Sequence, residues 1–317
     1  MAERPQKLLL LDTASLYFRA YFGVPESMTA PDGTPVNAVR GLLDMIARLV
    51  TDLRPTRLVC CWDDDWRPAF RVDAIPSYKA HRVAVEVPGT TGLEVVPDTL
   101  SPQVPVIVDV LAALGIARVG VPGYEADDVI GTLVAREVAK SADRAVVEVV
   151  TGDRDLFQLV DDQVPVRVLY TARGIRDLET VDQARLQEKY GVATGSGYAD
   201  MAVLRGDPSD GLPGVPGIGE KTAAALVHRF GSLVEVLVAR DAGAAGLSPT
   251  QRRRLTESAA YLAVAPAVVR VAPDAPVGDV DDRLPNVVAD AEALVALAER
   301  WGLSSSVKRV VDALALG

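Results

Sequence analysis

The chain has 317 residues, 49% of them hydrophobic but only 5% aromatic, and a formal net charge of −10. That length suits one large α/β domain plus a smaller helical unit, and no apolar run approaches a membrane span. Met1 to Lys7 leads into just four leucines, too few for a signal peptide. Cys60 and Cys61 are adjacent inside a predicted strand and poorly placed to bridge each other, which fits a reducing cytoplasm. The acidic balance argues only superficially against a nucleic-acid partner. Nine carboxylates group into one candidate site, and the remainder carries about −1, leaving room for local basic patches.

In chain order, Lys7 to Leu11 reads as a short apolar strand ending in Asp12. Asp12 is either a helix N-cap or a ligand at the C-terminal edge of a first α/β strand. Leu16 to Phe22 is rich in rings and reads as core or as a platform for bases, with Arg19 at a phosphate. Val36 to Val50 is an amphipathic helix, and Leu58 to Trp62 a second buried strand followed by Asp63, Asp64 and Asp65. Trp66 to Arg82 interleaves Arg67, Arg71, Lys79, His81 and Arg82 with Trp66, Phe70 and Tyr78. Such a mixture suits a nucleic-acid strand, cations for phosphates and rings for base faces, or else a solvated loop with some buried rings. Val83 to Pro102 lacks hydrophobic periodicity and reads as a lid or arch. Pro105 to Leu114 resumes as a helix.

The richest stretch is Gly123 to Asp155. Glu125, Asp127 and Asp128 precede Val129 to Val138, whose apolar spacing predicts a helix. Ala145 to Val150 is nearly all β-branched, as in a strand covered on both faces. Its continuation, Thr-Gly-Asp-Arg-Asp, sends Asp153 and Asp155 the same way, because residues two apart in extended chain share a face. Acids delivered to one end of a sheet imply a divalent metal between them. Leu156 to Val160 continues as a short helix and Val166 to Tyr170 as a strand, so the alternation predicts a mostly parallel sheet with helices on both faces. After Tyr190 the strands stop. Tyr198 to Leu204 is helical, and Gly211 to Gly219 forms a tight turn before a helix from Glu220. The amides of that turn can grip a phosphate, with Lys221 and Thr222 in the first turn. Asp274 to Asp290 reads as linker or surface loop, and Ala291 to Trp301 and Val307 to Leu316 as terminal helices that dock back.

Three segments carry a specific resemblance: Gly-Tyr-Glu-Ala-Asp-Asp, Thr-Gly-Asp-Arg-Asp-Leu-Phe-Gln-Leu, and Gly-Asp-Pro-Ser-Asp-Gly-Leu-Pro-Gly-Val-Pro-Gly-Ile-Gly-Glu-Lys-Thr-Ala. With them the chain, from about Leu8 to Arg270, resembles the bacterial and phage 5′ nucleases, or flap endonucleases, including the 5′-exonuclease domain that precedes DNA polymerase I. The resemblance implies a PIN-like α/β domain over residues 1–190, with an arch at about 77–102, and a helical, helix–hairpin–helix-like DNA-binding region over 191–317. It implies two divalent metals, Mg²⁺ or Mn²⁺. One would lie near Asp12, Asp63, Glu125 and Asp127, the other near Asp153, Asp155 and Asp207, with Asp128 and Asp210 completing the set. Asp63 directly follows the strand and is preferred over Asp64. The glycine-rich turn, Gly214, Gly217 and Gly219 with Lys221 and Thr222, would hold K⁺ on its carbonyls and a DNA phosphate on its amides. Arg19, Arg71, Tyr78, Lys79 and Arg82 are the remaining candidates for DNA contact. The implied substrate is DNA with 5′ flaps, overhangs or nicks, with a DNA polymerase as a separately acting partner and no membrane.

The arch from Val83 to Leu100 contains no lysine or arginine, unlike related arches, which shifts DNA binding toward the helical clamp. At 100° per residue Asp127 lies about 200° from Glu125 on a helix. For both to bind metal, the Glu-Ala-Asp step must lie at the unwound start of the helix. The competing readings are a catalytically silent DNA-binding scaffold and a PIN-type RNase that cuts single-stranded RNA without the clamp.

Overall fold

In the computed structural model, residues 6–87 and 89–315 are described. Strand β1 (Lys7–Asp12) runs into helix α1 (Thr13–Gly23), and Asp12 caps that helix by accepting from the Ser15 amide. Helix α2 (Asn37–Leu53) leads to strand β2 (Arg57–Cys61) and a short helix α3 (Ala69–Ala74). The region read as an arch is a 3₁₀ turn, Ala80–Arg82, and a small antiparallel ribbon of β3 (Val83–Val85) and β4 (Leu93–Glu94). Helix α4 (Gln103–Leu114) ends at Gly115 in the left-handed conformation that glycine adopts without strain. Strand β5 (Ala117–Val119), helix α5 (Ala126–Val138) and strand β6 (Val146–Thr151) follow, then β7 (Val166–Tyr170) and β8 (Glu179–Val181).

These strands form one six-stranded sheet in the order β5-β2-β1-β6-β7-β8, parallel except for β8. Strand order reverses across β1 and β6, the switch point where α/β sheets gather ligands. Register does the aiming. Asp12 pairs with Cys61 and Leu11 with Val150, so β1, β2 and β6 end at one level and release Asp12, Asp63 and Asp153 over the same edge.

The β-strand alternation divides the interior into two cores. Leu8, Leu10, Val59, Val147 and Val168 face α5 and a helical region, α6 (Gln183–Tyr190), α7 (Gly195–Arg205), α8 (Glu220–Phe230), α9 (Leu233–Asp241), α10 (Pro249–Glu257) and α11 (Ala259–Val269). Leu9, Leu11, Leu58, Cys60 and Val150 face α2, α4 and the terminal helices α12 (Ala291–Arg300) and α13 (Ser304–Leu314). The terminal helices therefore cover the face of the six-stranded sheet opposite α6 to α11, docking back as the sequence reading expected of them, although that reading grouped them with the helical region over 191–317. An amphipathic helix carries no mark in its sequence of which core its apolar face joins.

Residues 271–290 are also tied down. The Ala272 amide donates to Asp128, the Leu58 amide donates to the Asp282 carbonyl, and Arg57 forks onto the Asp282 carboxylate at 2.6 and 2.8 Å. Among the described residues no single helix is long and apolar enough to cross a membrane.

Candidate metal centre and nucleic-acid interface

The acids assemble at the C-terminal edge of β1, β2 and β6. Asp12 is held by the Ser15 amide at 3.1 Å and the Thr151 hydroxyl at 2.6 Å. Asp63 accepts from the Ala126 amide at 2.7 Å, which ties the end of β2 to the first turn of α5. Asp64 turns outward toward Arg118 at 3.7 Å, so Asp63 is the acid that faces the centre. Glu125 is the N-cap of α5 with extended φ −82° and ψ 164°, and Asp127 lies two residues on in the first turn. The step from Glu125 to Asp127 thus crosses from strand-like to helical backbone. That change of direction lets both side chains reach one side, as the sequence argument required.

Electrostatics divide the acids into two neighbourhoods. Burial pushes the Asp12 carboxyl up to about 6, with the Asp153 charge adding to it. Burial likewise takes Asp63 up to about 7, with Asp12 and Glu125 adding to it. Asp127 is driven upward by burial and then by Asp12, Asp153 and Glu125. On the other side, Asp155 is raised by burial and then by Asp153, Asp210 and Asp207. Asp153 acts on both groups and stands between them, its own carboxylate accepting from the Asp155 amide at 2.8 Å. Asp207 closes the second neighbourhood as the cap of the 3₁₀ turn Pro208–Asp210.

An all-oxygen donor set, half-buried and mutually repelling, fits hard divalent cations. Among the described residues no three carboxylates converge closely enough to enclose an ion unaided.

Three expected site residues have other work. Asp128 is fully buried; Arg71 forks onto it at 2.6 and 2.7 Å, and the amides of Ala272 and Glu125 donate to it at 2.8 and 3.2 Å. It has no free face for a metal. Arg71 is 2% exposed and also donates to the Val268 carbonyl, so it joins α3, α5 and the end of α11 and does not reach out to DNA. Tyr78, 4% exposed, donates its hydroxyl to Glu125 at 2.9 Å and offers no face for base stacking. The sequence reading missed this because basic and aromatic residues interleave in the same way whether they serve a ligand or a buried polar network.

Two domain-length signatures decide the relationship. Residues 7–191 match the family described as 5′-3′ exonuclease, N-terminal resolvase-like domain, and residues 193–291 match 5′-3′ exonuclease, C-terminal SAM fold. The chain belongs to the 5′-3′ exonuclease family. It is 65% identical over 306 residues to the 5′-3′ exonuclease of Streptomyces coelicolor, covering 96% of this chain and 99% of that one. It is 54% identical over 314 residues to the 5′-3′ exonuclease of Mycobacterium tuberculosis, covering 97% of each. Among solved structures, the flap endonuclease D15 of bacteriophage T5, in a pseudo-enzyme–product complex with DNA and metal ions, aligns with a TM-score of 0.62 at 15% identity. That alignment covers 98% of this chain and 99% of that one. At that identity the likeness is one of fold.

In this exonuclease the base of the arch is locked to the second acid neighbourhood. Gly211 has φ +73°, and a Cβ there would lie 2.0 Å from the Ser77 carbonyl, so only glycine allows the contact. Ser77 donates to the Gly211 carbonyl, the Lys79 amide to the Asp210 carbonyl, and Arg82 to the Asp210 carboxylate at 2.6 Å. Lys79 sends its ammonium 3.0 Å from Glu125. The lysine and arginine at this base are therefore counter-charges to the acids first. Arg19 lies half-buried beside Gly152, next to the end of β6.

The glycine-rich turn adjoins the second acid neighbourhood through Arg205, whose guanidinium lies 3.8 Å from Asp207 and 3.1 Å from Glu220, the first residue of α8. Gly214 packs its backbone directly on Arg205 and Gly206, with φ +64° and no room for a Cβ. Pro216, Gly217, Gly219 and Lys221 are exposed, Thr222 is half-buried, and α8 begins at Gly219 with no side-chain cap, leaving its first amides facing outward. A residue with no sequence signal joins them: Arg254 of α10 donates to the Gly217 carbonyl at 2.9 Å.

Proposed function

We propose that this exonuclease hydrolyses DNA phosphodiesters at the junction of 5′-flapped or 5′-overhanging duplex, using two divalent metal ions and leaving a 5′-phosphate on the trimmed strand. The observation that carries the reading is the pair of acid neighbourhoods that meet at Asp153, beside an uncapped helix N-terminus able to hold a phosphate backbone. Asp12, Asp63, Glu125 and Asp127 would hold one ion, and Asp153, Asp155 and Asp207 the other, with Asp210 supporting the second group. Such ions supply charge neutralisation at the scissile phosphate and lower the pKa of water.

The chain's own residues do the positioning. Thr151 and Ser15 fix Asp12, Tyr78 and Lys79 fix Glu125, and the Ala126 amide fixes Asp63. Lys221, Thr222 and the first amides of α8 hold the duplex backbone, and Arg19 faces the phosphate nearest the acids. The substrate is DNA, and a polymerase acting separately would fill the gap that trimming leaves.

A labelled 5′-flap duplex, its nicked and blunt counterparts and a matched RNA flap form the test. Cleavage should require added Mg²⁺ or Mn²⁺ and should be lost in Asp153→Ala while duplex binding survives. Full activity in that variant, or cleavage that persists in excess EDTA, would overturn the assignment. Preference for the RNA flap would instead favour an RNase.

A further inference from the structure

Between Trp66 and Arg82, Arg71 pairs with Asp128, Lys79 with Glu125 and Arg82 with Asp210. Arg67 is different. It is 8% exposed, yet its guanidinium has no carboxylate within 4 Å among the described residues. Its nitrogens donate to carbonyls instead: Nε to Tyr78 at 2.6 Å, Nη1 to Thr91 at 2.9 Å and Nη2 to Pro76 at 3.0 Å. The indole of Trp66 donates to the next carbonyl, Gly92, at 3.1 Å. Burying a charge against neutral acceptors is unfavourable unless each donor is satisfied, and the planar guanidinium fork can reach three backbone segments at once. Those segments are the two legs of the arch, 76–78 on the way out and 91–92 on the return.

The backbone held by this fork is strained. Lys79 has φ +47° and ψ 19°, the left-handed region that a residue with a Cβ enters at a cost. Arg54 shares that conformation as the residue ending α2, a customary place for it, whereas Lys79 opens a 3₁₀ turn. Strain of this kind persists where the surroundings over-determine it. The Tyr78 carbonyl and the Lys79 amide are two ends of one planar peptide group. Arg67 donates to the carbonyl, and the amide donates to the Asp210 carbonyl at 2.9 Å, so the plane is clamped from both sides. Tyr78 has other anchors, its ring in the core and its hydroxyl on Glu125. Lys79 is aimed by the clamped plane, and its ammonium lies 3.0 Å from Glu125.

We infer that Arg67 is a positioning residue for cleavage: by clamping the 78–79 peptide and tying it to the arch return, it keeps Lys79 in its strained conformation with the ammonium at Glu125. This rests on the nuclease reading above. Because Thr91 shares the same fork, the placement of Lys79 depends on both legs of the arch being in place.

Single-turnover cleavage of a labelled flap duplex by the full chain, with binding followed by anisotropy in EDTA, tests the inference. Arg67→Gln should cut about tenfold to a hundredfold more slowly, the order expected for a misplaced group, while its duplex affinity stays within about twofold of wild type. Arg67→Lys keeps the charge but not the fork and should fall between the two. In a Lys79→Ala background, Arg67→Gln should slow cleavage by no more than about a further twofold, because its effect runs through Lys79. Without metal or DNA, and well below the melting range, trypsin should cut after Lys79 or Arg82 at least about threefold faster in Arg67→Gln than in wild type. Additive losses in the double variant, weaker binding that accounts for the slower cleavage, or an unchanged rate of tryptic cutting would each overturn the inference. If Arg67→Gln melts below the assay temperature, the same comparisons made with Arg67→Lys decide it. Wild type that fails to cut the duplex with Mg²⁺ would instead overturn the functional reading, and the tryptic comparison would still judge the clamp.

Discussion

Asp128 offers the sharpest division between holding the fold and holding a metal. It lies one residue from Asp127, at the start of the same helix, yet its oxygens are occupied by Arg71 and by the amides of Ala272 and Glu125. Replacing it with alanine leaves the Arg71 guanidinium buried without a counter-charge and two amides without an acceptor. Breaking a buried pair on one side costs about 3–5 kcal/mol. With roughly 2.1 cal/mol/K of unfolding entropy per residue, that loss lowers Tm by about 4–8 °C in a chain of this length. The assay is differential scanning calorimetry of Asp128→Ala and Asp127→Ala side by side, without metal, followed by flap cleavage. Asp127→Ala should melt no lower than wild type, because it removes a carboxylate that burial and its neighbours disfavour, and it should lose cleavage. Asp128→Ala should show the reverse ordering, with a large drop in Tm and retained cleavage below its melting range. An Asp128→Ala variant that melts like wild type but no longer cuts would refute the reasoning and return Asp128 to the metal set.

Arg71→Ala together with Asp128→Ala should cost less than the sum of the two single changes, by about 1–3 kcal/mol in a double-mutant cycle; strict additivity would deny the pair. Gly211→Ala should lower flap cleavage at least tenfold, because the new Cβ must displace the Ser77 carbonyl and with it Lys79 and Arg82; the check is single-turnover cleavage beside a melting curve. Glu137 supplies a pH signature. Burial works to raise its pKa, but the Ala145 amide, Lys140 and Arg57 outweigh that and hold it below the ordinary value of 4.5. Its contribution is therefore full above 4.5 and is lost as pH falls through the lowered folded value. Urea midpoints of wild type and Glu137→Gln should differ at pH 6 and converge toward pH 3; a gap that persists in acid would exclude the ion pair as its source.

The sheet was legible because its signal is local. Leu8 to Leu11 and Leu58 to Cys61 are apolar on both faces, as is Val147 to Val150 apart from the buried Glu148, and a covered parallel strand asks for that. Strand ends followed at once by Asp12, Asp63 and Asp153 made the acid edge readable too, as did the extended backbone required at Glu125. Short pieces escaped. β5 and β8 are three residues each, too short to set a period, and they exist because the neighbouring strand edges offer hydrogen bonds. What sequence could not decide was the partner of each polar group. Arg71, Tyr78 and Asp128 have the residue types of a binding surface; the approach of residues 268–272 to the α5 start turns Arg71 and Asp128 inward, and Glu125 does the same for Tyr78. Arg254 was missed for the same reason, since a basic run on a surface helix gives no hint of the carbonyl it will meet.

These internal pairings explain how an acidic chain keeps an acid-rich edge and still folds. Lys79 answers Glu125, Arg82 answers Asp210, and Arg71 answers Asp128, so part of the charge is balanced before any ion arrives. The balance is uneven by construction. Asp12, Asp63, Asp127 and Asp155 receive no ion pair within 4 Å among the described residues, and burial raises the proton affinity of each, as it also does for Asp210 despite its Arg82 partner. The paired acids fix backbone and arch, while the unpaired ones keep their repulsion as attraction for cations. Two of these three cations, Lys79 and Arg82, come from the arch base, and the segment beyond has none to give from Val83 to Leu100. Under the proposed function, holding the DNA backbone by charge would then fall to the start of α8, where Lys221 is exposed.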